Sequence, residues 1–284
     1  MVGAVMLYDR LRWEEKELMK AAGSRGLELK PVDAKPLYIS PSPELARSMG
    51  PLALQRCISH YRGLYLSAVL EACGVRVVNP FKATHLCGDK LLTSLALYRA
   101  GIPTPRFAVA FTAEAALKAM EGLGMPAVLK PLVGSHGRLV SMVDDLSLAK
   151  ALLEHEEALG DGLHRIHYVQ EYVDKPSRDL RVVVVGGRVV AAIYRYAPSG
   201  EWRTNVAMGG RAEPCRLSVE AEDLALRACE ALSVEVAGVD LMEGGRGLVV
   251  NEVNPTVEFK GASQATGVDV AGAIVEYLME AAKR

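Results

Sequence analysis

The sequence contains no stretch of about 18 consecutive apolar residues, so a transmembrane helix is not expected. Its first apolar run ends at Asp9, too soon for the core of a signal peptide. The five cysteines are scattered, odd in number and without a CxxC pair, which argues against a zinc site and favours free thiols in a reducing cytosol. A formal net charge of −1 gives no sign of nucleic-acid binding. These absences predict a cytoplasmic protein with no nucleic-acid or membrane partner.

Half of the 284 residues are hydrophobic, enough for one large core or for two to three smaller subdomains. The N-terminal third predicts a strand over 3–7, an amphipathic helix over 13–23 and a second strand ending at Asp33. This β-α-β order indicates a parallel sheet with a right-handed crossover. Three prolines within 35–50 predict a long loop there. Strand, helix and strand then follow over 52–58, 61–73 and 76–79.

The segment from 236 to 254 consists of two apolar runs around a glycine-rich turn, which predicts a β-hairpin. With the turn centred near Arg246, Asp240 lies opposite Glu252, and Asn254 shares the face of Glu252 because side chains alternate along a strand. Two carboxylates so close together repel each other unless a cation separates them. With the amide oxygen of Asn254 they form a ligand set suited to Mg²⁺, completed by nucleotide phosphates. The alternative is a surface hairpin whose polar side chains face water.

Lys130 ends a predicted strand over 125–131 and precedes a glycine-rich segment at 133–140. Gly134 and Gly137 permit a tight hairpin whose backbone N–H groups can point at an anion. The GxxxxGK[ST] pattern of a P-loop is absent. A plain hairpin is the alternative, and the lysine just before the turn favours phosphate binding.

The remaining elements alternate between helices and strands. We predict helices over 89–100, 112–120, 147–159, 218–232 and 269–283, strands over 107–111 and 168–173, a hairpin over 180–196 around Gly186-Gly187, and a loop over 258–261. No internal repeat is present.

Separated motifs of this chain, taken in order, resemble those of the RimK-like branch of ATP-grasp carboxylate–amine ligases, and most closely the LysX-type ligases of lysine biosynthesis. The motifs are Tyr8-Asp9-Arg10, Trp13-Glu14-Glu15-Lys16, Lys130 with residues 134–138, Gln170-Glu171-Tyr172, Asp179-Leu180-Arg181, Arg203-Thr204-Asn205, Asp240, Asn251-Glu252-Val253-Asn254 and Glu258-Phe259-Lys260. The resemblance covers nearly the whole chain. It implies an α/β (α+β) ATP-grasp fold with an N-terminal pre-ATP-grasp domain over 1–84. Two subdomains, over 85–168 and 169–284, would clasp ATP.

The resemblance also implies roles for the matching residues. Phosphates of ATP would contact Lys90, Lys130, Gly134, Ser135, His136, Gly137, Arg203, Thr204 and Asn205. Gln170, Glu171 and Tyr172 would lie at the adenine hinge, with Asp179 near the ribose. Asp240, Glu252 and Asn254 would bind two Mg²⁺ ions. Arg195 would face an acyl phosphate, and Glu258 and Lys260 would meet the amine and carboxylates of the acceptor.

The implied reaction is ATP-dependent ligation in the cytoplasm. The C-terminal glutamate of a small acidic carrier protein, LysW-like, would be activated as an acyl phosphate and joined to the α-amino group of 2-aminoadipate. Alternatives are the same reaction on glutamate for arginine synthesis, dual specificity, RimK-type addition of glutamate to a protein tail, or a non-catalytic nucleotide-binding regulator. A homo-oligomer is expected. The segment Pro255-Thr256-Val257 and the residues after Lys260 differ from some LysX-type proteins, which leaves the acceptor open between aminoadipate and glutamate.

An acidic protein tail requires positive charge at the mouth of the cleft. The expected residues are Arg181, Arg195, Arg203, Arg211 and Lys260. On a strand, Arg181 can instead form an ordinary surface ion pair.

Overall fold

The structure, a computed structural model, describes residues 3–134, 137–159, 162–204 and 210–283. The N-terminal domain is a parallel sheet in the order β2-β1-β3-β4, as the β-α-β pattern predicts. Its elements are β1 (Gly3–Tyr8), α1 (Trp13–Arg25), β2 (Glu28–Asp33), α2 (Pro43–Met49), β3 (Leu52–Gln55), α3 (His60–Ala72) and β4 (Arg76–Val78).

The predicted loop over 35–50 is wrong in part, because it contains the two-turn helix α2. Proline is compatible with the first turn of a helix, where its missing N–H costs no hydrogen bond, and Pro43 occupies that position. The Ser42 hydroxyl accepts a hydrogen bond from the Leu45 N–H at 3.2 Å and caps the helix. The serine before this proline, followed by a helical run, was the signal for α2.

Two further sheets follow, both antiparallel. The central one has the order β5-β8-β6-β7 and comprises β5 (Phe107–Ala110), α6 (Ala113–Leu123), β6 (Ala127–Lys130), β7 (Ser141–Val143), α7 (Leu146–Leu159) and β8 (His167–Glu171), preceded by α4 (Phe81–Gly88) and α5 (Lys90–Arg99). The last has the order β11-β10-β9-β12-β13 and comprises β9 (Arg178–Val185), β10 (Arg188–Tyr196), β11 (Arg211–Pro214), α8 (Val219–Ala231), β12 (Val236–Gly244), β13 (Gly247–Asn254), α9 (Lys260–Thr266) and α10 (Val270–Ala281).

Both predicted domain boundaries fall inside secondary-structure elements. The boundary at 84/85 divides α4, and the one at 168/169 divides β8, although Tyr168 and Glu171 both pair with β6. Helices α4 and α5 also contribute buried side chains, including Ala83 and Leu97, to the core beneath the C-terminal sheet. We therefore propose that the central subdomain ends after β8 and that the chain enters the C-terminal core before its strands form.

The N-terminal domain and the C-terminal sheet share one hydrophobic core. Met6 and Leu18 from the first domain pack with Val183, Ile274 and Leu278 from the last. Buried apolar area of this kind is the main favourable term in folding, so the two parts hold each other in place. The cleft between them therefore has two firmly placed walls.

Asn79 joins the two parts through a fully used side-chain amide. Its Nδ2 donates to the carbonyls of Val236 and Pro255, both at 2.6 Å, and its Oδ1 accepts from the N–H groups of Glu235 and Val236 at 2.8 and 2.9 Å. These contacts fix the chain just before the first strand of the predicted metal hairpin and just after the second.

We expect Asn79→Ala to lower the free energy of unfolding by about 3 kcal/mol, because it leaves several buried backbone groups without partners. The measurement is urea unfolding followed by circular dichroism. Ser48→Ala, which removes one exposed side-chain bond to the Leu45 carbonyl, is the control and should change stability by less than about 0.5 kcal/mol. Equal stability of the two variants would contradict the assigned role of Asn79.

Candidate active site

One face of the C-terminal sheet carries a row of charged side chains. Arg195 on β10 pairs in register with Asp179 on β9, and Arg181 on β9 pairs with Asp240 on β12. Asp240 in turn lies opposite Glu252 on β13, as the hairpin pattern predicts. Side chains two residues apart on a strand share a face, so the row extends across four strands.

The members of this row bond to one another directly. Arg195 donates from Nε and Nη2 to the two oxygens of Asp179, both at 2.7 Å, and its Nη2 lies 2.9 Å from Oδ2 of Asp240. Arg181 Nη2 donates to the same Asp240 oxygen at 3.1 Å, and its Nε donates to Oδ1. The Thr204 hydroxyl donates to Asp179. Burial lowers the pKa of Arg195, but attraction to Asp240 and Asp179 outweighs it and raises that pKa above its usual value.

The three predicted metal ligands come together on the hairpin and line one cleft. The Asp240 carboxylate already attracts two arginines, whereas Glu252 forms no ion pair with any described residue. Asn254 Nδ2 donates to the Gly238 carbonyl at 3.4 Å, which leaves the amide oxygen to act as a ligand. The described residues contain no cluster of three or more His, Cys, Asp or Glu side chains, so protein groups alone do not complete a shell. Two carboxylates and one amide oxygen fit Mg²⁺ that also binds phosphate oxygens.

The two lysines predicted to bind phosphate, Lys90 and Lys130, lie beside the glycine-rich segment. Lys130 Nζ donates to Gln170 and, at 3.1 Å, to Oδ1 of Asn251, while Lys90 Nζ donates to the Gly134 carbonyl at 3.1 Å. Burial lowers the pKa of Lys130 to about 8, with Glu252 opposing the shift. A lysine so poorly solvated gains strongly from an anionic partner, which supports the phosphate interpretation.

Asn251 was not among the predicted site residues, although it bonds Lys130 and lines the cleft beside Glu252. Strict alternation would place neighbouring residues of a strand on opposite faces. A β-bulge breaks the rule here, because Asp240 pairs with Glu252 while Leu241 pairs with Val250, which leaves Asn251 as the extra residue. The bulge turns Val250 into the core and both polar residues into the cleft.

The three residues predicted to lie at the adenine hinge, Gln170, Glu171 and Tyr172, all contact other side chains of the protein. The Glu171 carboxylate is held by Arg106, whose Nε lies 2.6 Å away, and by Arg246. Burial raises the pKa of Glu171, but hydrogen bonds from Arg246 and Arg106 outweigh it and lower that pKa overall. The Tyr172 ring meets Trp202 edge to face at 6.3 Å. Gln170, Glu171 and Tyr172 do not line either cavity described below, so their nucleotide role stays a prediction.

Arg203 connects the glycine-rich segment to the C-terminal sheet. Its Nη1 donates to the Gly137 carbonyl at 3.1 Å, and its Nη2 donates to Glu201 at 2.7 Å. The hydrogen bond from Arg203 lowers the pKa of Glu201 to about 2. The predicted contacts of Ser135, His136 and Asn205 lie outside the described residues.

Glu258 and Lys260 lie on the far wall of the cleft. Arg12 Nη1 donates to Glu258 at 2.9 Å, and the Lys260 backbone N–H donates to Oε1 of Glu14 at 3.2 Å. The predicted loop over 258–261 is wrong in part, because Lys260 begins α9. Both side chains are nevertheless exposed to the cleft.

A buried ion pair in the N-terminal domain supports this wall. Glu15 accepts from Nε and Nη2 of Arg12 at 3.0 and 2.8 Å and from Nε of Arg56 at 3.0 Å. Arg56, only 2 % exposed, donates from Nη1 to the Val257 carbonyl at 2.9 Å. The role of Arg56 was missed because about 200 residues of sequence separate it from Val257. The acidic pair Glu14-Glu15, on the first turn of a helix, was the available signal.

Two adjoining cavities follow from this arrangement. The larger, of about 740 Å³, lies between the N-terminal domain and the C-terminal sheet and is lined by Arg12, Lys90, Arg181, Asp240, Glu252, Asn254, Glu258 and Lys260 among others. The smaller, of about 90 Å³, is lined by Lys90, Lys130, Arg195, Arg203, Thr204, Asp240 and Glu252 among others. Lysines and arginines suited to phosphates thus adjoin carboxylates suited to a cation, at the entrance to a larger space.

The positive charge expected at the cleft mouth is mostly committed to acidic partners. Arg195 is buried and Arg181 is half-buried, and both pair with buried aspartates, so neither forms the surface ion pair considered for Arg181. Arg203 pairs with Glu201, and Arg211 pairs with Glu213. Lys260 is the exposed member with no ion pair in the described part of the chain.

Comparisons with known proteins agree across the chain. Residues 87–278 match the family model of the RimK-like ATP-grasp domain, and residues 4–86 match that of the LysX preATP-grasp domain. Among solved structures, a RimK domain ATP-grasp protein from Sphaerobacter thermophilus superposes with a TM-score of 0.78 at 30% identity, covering 98% of this chain and 99% of its own.

Two curated relatives of full length are similar to this chain. The glutamate–LysW ligase ArgX of Sulfolobus acidocaldarius is 39% identical over 96% of both chains. The alpha-aminoadipate–LysW ligase LysX of Sulfurisphaera tokodaii is 33% identical over 98% of this chain and 99% of its own.

None of the described helices combines the length and apolarity needed to cross a membrane.

We expect Glu252→Gln to lower the rate of ADP release, measured in a coupled assay, by about 100-fold or more, because the hairpin loses one anionic ligand for the metal. Glu243→Gln is the matched control. Glu243 is on the same hairpin but lines neither cavity, and its carboxylate pairs with Arg178 on β9, so activity should stay near normal. The second measurement is titration of Mg²⁺ into the nucleotide-bound protein by calorimetry. Unchanged Mg²⁺ affinity in Glu252→Gln would reject the metal assignment even if turnover fell.

Proposed function

This chain belongs to the RimK-like ATP-grasp family with a LysX-type preATP-grasp domain, and we propose that it ligates a LysW-like carrier protein to an acidic amino acid. The C-terminal glutamate of the carrier would be the acyl donor, and the α-amino group of the amino acid would be the acceptor. The observation that carries this proposal is full-length similarity to two LysW ligases together with the intact charged row and hairpin ligands.

The activation step depends on positioning and charge neutralisation more than on a covalent enzyme group. A carboxylate oxygen of the donor attacks the γ-phosphorus of ATP, the bond to the ADP oxygen breaks, and an acyl phosphate forms. Lys90, Lys130 and Arg203 would hold the phosphates. Asp240, Glu252 and Asn254 would hold Mg²⁺, for which we propose two ions, and this charge neutralises the phosphate oxygens.

Amide formation then requires the acceptor nitrogen next to the activated carbonyl. The ammonium form of the acceptor first gives up one proton to solvent. The free amine then attacks the carbonyl carbon, the C–O bond to phosphate breaks with its electron pair leaving on phosphate, and the nitrogen loses a second proton. Glu258 would bind the protonated amine before reaction, and Lys260 would bind an acceptor carboxylate. Arg195 would stabilise charge at the acyl phosphate, since it reaches Asp240 while Asp179 holds it in place.

Glutamate is the acceptor that the comparisons favour. Identity is 39% with a glutamate ligase and 33% with an aminoadipate ligase at similar coverage. 2-Aminoadipate remains the alternative, since the two amino acids differ by one methylene group, which a pocket discriminates by only about 1–3 kcal/mol. A non-catalytic regulator would not need Lys130, Asp240, Glu252 and Asn254 together, which argues against that reading. A homo-oligomer and a cytoplasmic location both stay predictions.

The decisive experiment is a coupled ADP-release assay with purified carrier and either glutamate or 2-aminoadipate. We expect carrier-dependent turnover with both components present and a kcat/KM for glutamate higher by about tenfold or more, as one methylene allows. Mass spectrometry of the carrier checks the product. Turnover without the carrier would reject the proposed donor, and a preference for 2-aminoadipate would reverse the acceptor assignment.

The carrier KM should rise several-fold between low and physiological salt, because attraction between an acidic protein and exposed cations such as Lys260 is screened over about 8–10 Å. The KM for ATP should change less, since its cavity holds buried and half-buried lysines and arginines. Steady-state kinetics at two NaCl concentrations gives both values. A carrier KM indifferent to salt would favour a small-molecule donor.

A further inference from the structure

The two arginines of the charged row differ in how firmly they are held. Arg195 has a bidentate partner in Asp179 besides its contact with Asp240. Arg181 pairs with Asp240 alone among the described residues. If the Asp240 contact is lost, Arg195 therefore stays in place, whereas Arg181 loses its ion pair.

Both oxygens of Asp240 are engaged by guanidinium groups. Oδ1 accepts from Arg181 Nε, and Oδ2 accepts from Arg181 Nη2 and from Arg195 Nη2. A divalent cation at Asp240 needs one of these oxygens and repels nearby positive charge. Because Asp240 is only 4 % exposed, solvent does little to screen that repulsion. Arg181, the less firmly held, is the group that gives way.

Arg181 lies against Gly238 at the edge of the larger cavity. A Cβ at this position would be 2.7 Å from Arg181 Nη1 and 2.9 Å from Val257 Cγ2, so glycine is needed to accommodate the guanidinium where it now lies. Arg181 already lines the larger cavity together with Asn254 and Lys260. A guanidinium that leaves Asp240 therefore enters the space where the donor and acceptor meet.

We propose that Arg181 exchanges partners: it holds Asp240 in the metal-free protein and, once Mg²⁺ and nucleotide are bound, binds the carboxylate of the acyl donor. The inference rests on the proposed function for the identity of that carboxylate. Arginine suits it, since a guanidinium matches a carboxylate with two parallel hydrogen bonds. Binding of the donor carboxylate and binding of the cation then strengthen each other.

The test is calorimetric titration of an acidic peptide ending in glutamate into the protein with ADP, in Mg²⁺ or in EDTA. Because ADP cannot be turned over, binding is read without chemistry. We expect the peptide to bind about tenfold tighter with Mg²⁺, and the peptide to tighten Mg²⁺ binding by the same factor. In Arg181→Gln the coupling should fall to about twofold, whereas Mg²⁺ without peptide should bind more tightly than to wild type, since a competing cation is gone.

Lys260→Gln is the matched control, because it removes one positive charge from the same cavity without touching Asp240. Its Mg²⁺ affinity without peptide should stay at the wild-type value. Arg181→Lys keeps the charge but not the two parallel bonds, and should retain Mg²⁺ affinity while losing most of the coupling.

Equal peptide affinity with and without Mg²⁺ in the wild-type protein would overturn the proposal whatever the variants do. So would full coupling in Arg181→Gln, or weaker Mg²⁺ binding in that variant, which would mean that Arg181 only supports the fold. Intact coupling in a protein that forms no amide with the carrier would instead reject the proposed function.

Discussion

The carboxylates of Asp240 and Glu252 lie side by side on two antiparallel strands, and the surrounding structure counters their repulsion. Three cationic side chains surround them: Arg181 and Arg195 bond Asp240 directly, and the charged form of half-buried Lys130 is favoured by Glu252, although desolvation still lowers its pKa overall. The strand register makes this proximity unavoidable, since the two residues are direct cross-strand partners. The site needs negative charge to attract a divalent ion. Before the ion binds, the arginines and the lysine of the protein balance that charge.

The N-terminal domain keeps the hairpin and the chain that follows it in position. Asn79 bonds the backbone at Val236, where the hairpin begins, and at Pro255, directly after it ends. Arg56 then holds the carbonyl of Val257. The domain therefore does more than cover the cleft, because it fixes the open end of the hairpin that carries the candidate ligands. The Trp13 and Phe259 rings, 5.8 Å apart, add an apolar contact between the same two parts.

Local patterns in the sequence were sufficient for the hairpins and most helices. The Asp240–Glu252 pairing followed from one glycine-rich turn, and the helices predicted to begin at Thr112 and Ser218 begin one residue later, with these two residues as N-caps. Helix α2 was missed because the three prolines predict a loop. They exclude one long helix but not a short one that starts at Pro43. Alternation could not reveal Asn251, since a bulge depends on the pairing of two strands and not on either one alone.

Ion pairs between residues far apart in the sequence could not be predicted from local patterns. Nothing near Glu171 in the sequence indicates that Arg106 and Arg246 hold its carboxylate, and nothing near Glu258 points to Arg12. Such pairs form only when separate sheets come together. The site was therefore predictable where one hairpin builds it, and less so where three parts of the chain meet.

The extra residue on β13, Asn251, makes the sheet less regular but supplies a side chain to the site. Without Asn251, Leu241 and Asp240 would face Val250 and Glu252 in an unbroken ladder, and each neighbour would keep its present side. A one-residue deletion there would make the strand more regular, yet it would remove the amide that Lys130 contacts. Irregularities of this kind persist where function needs them, so selection for thermal stability alone would tend to remove this bulge and the lysine's partner with it.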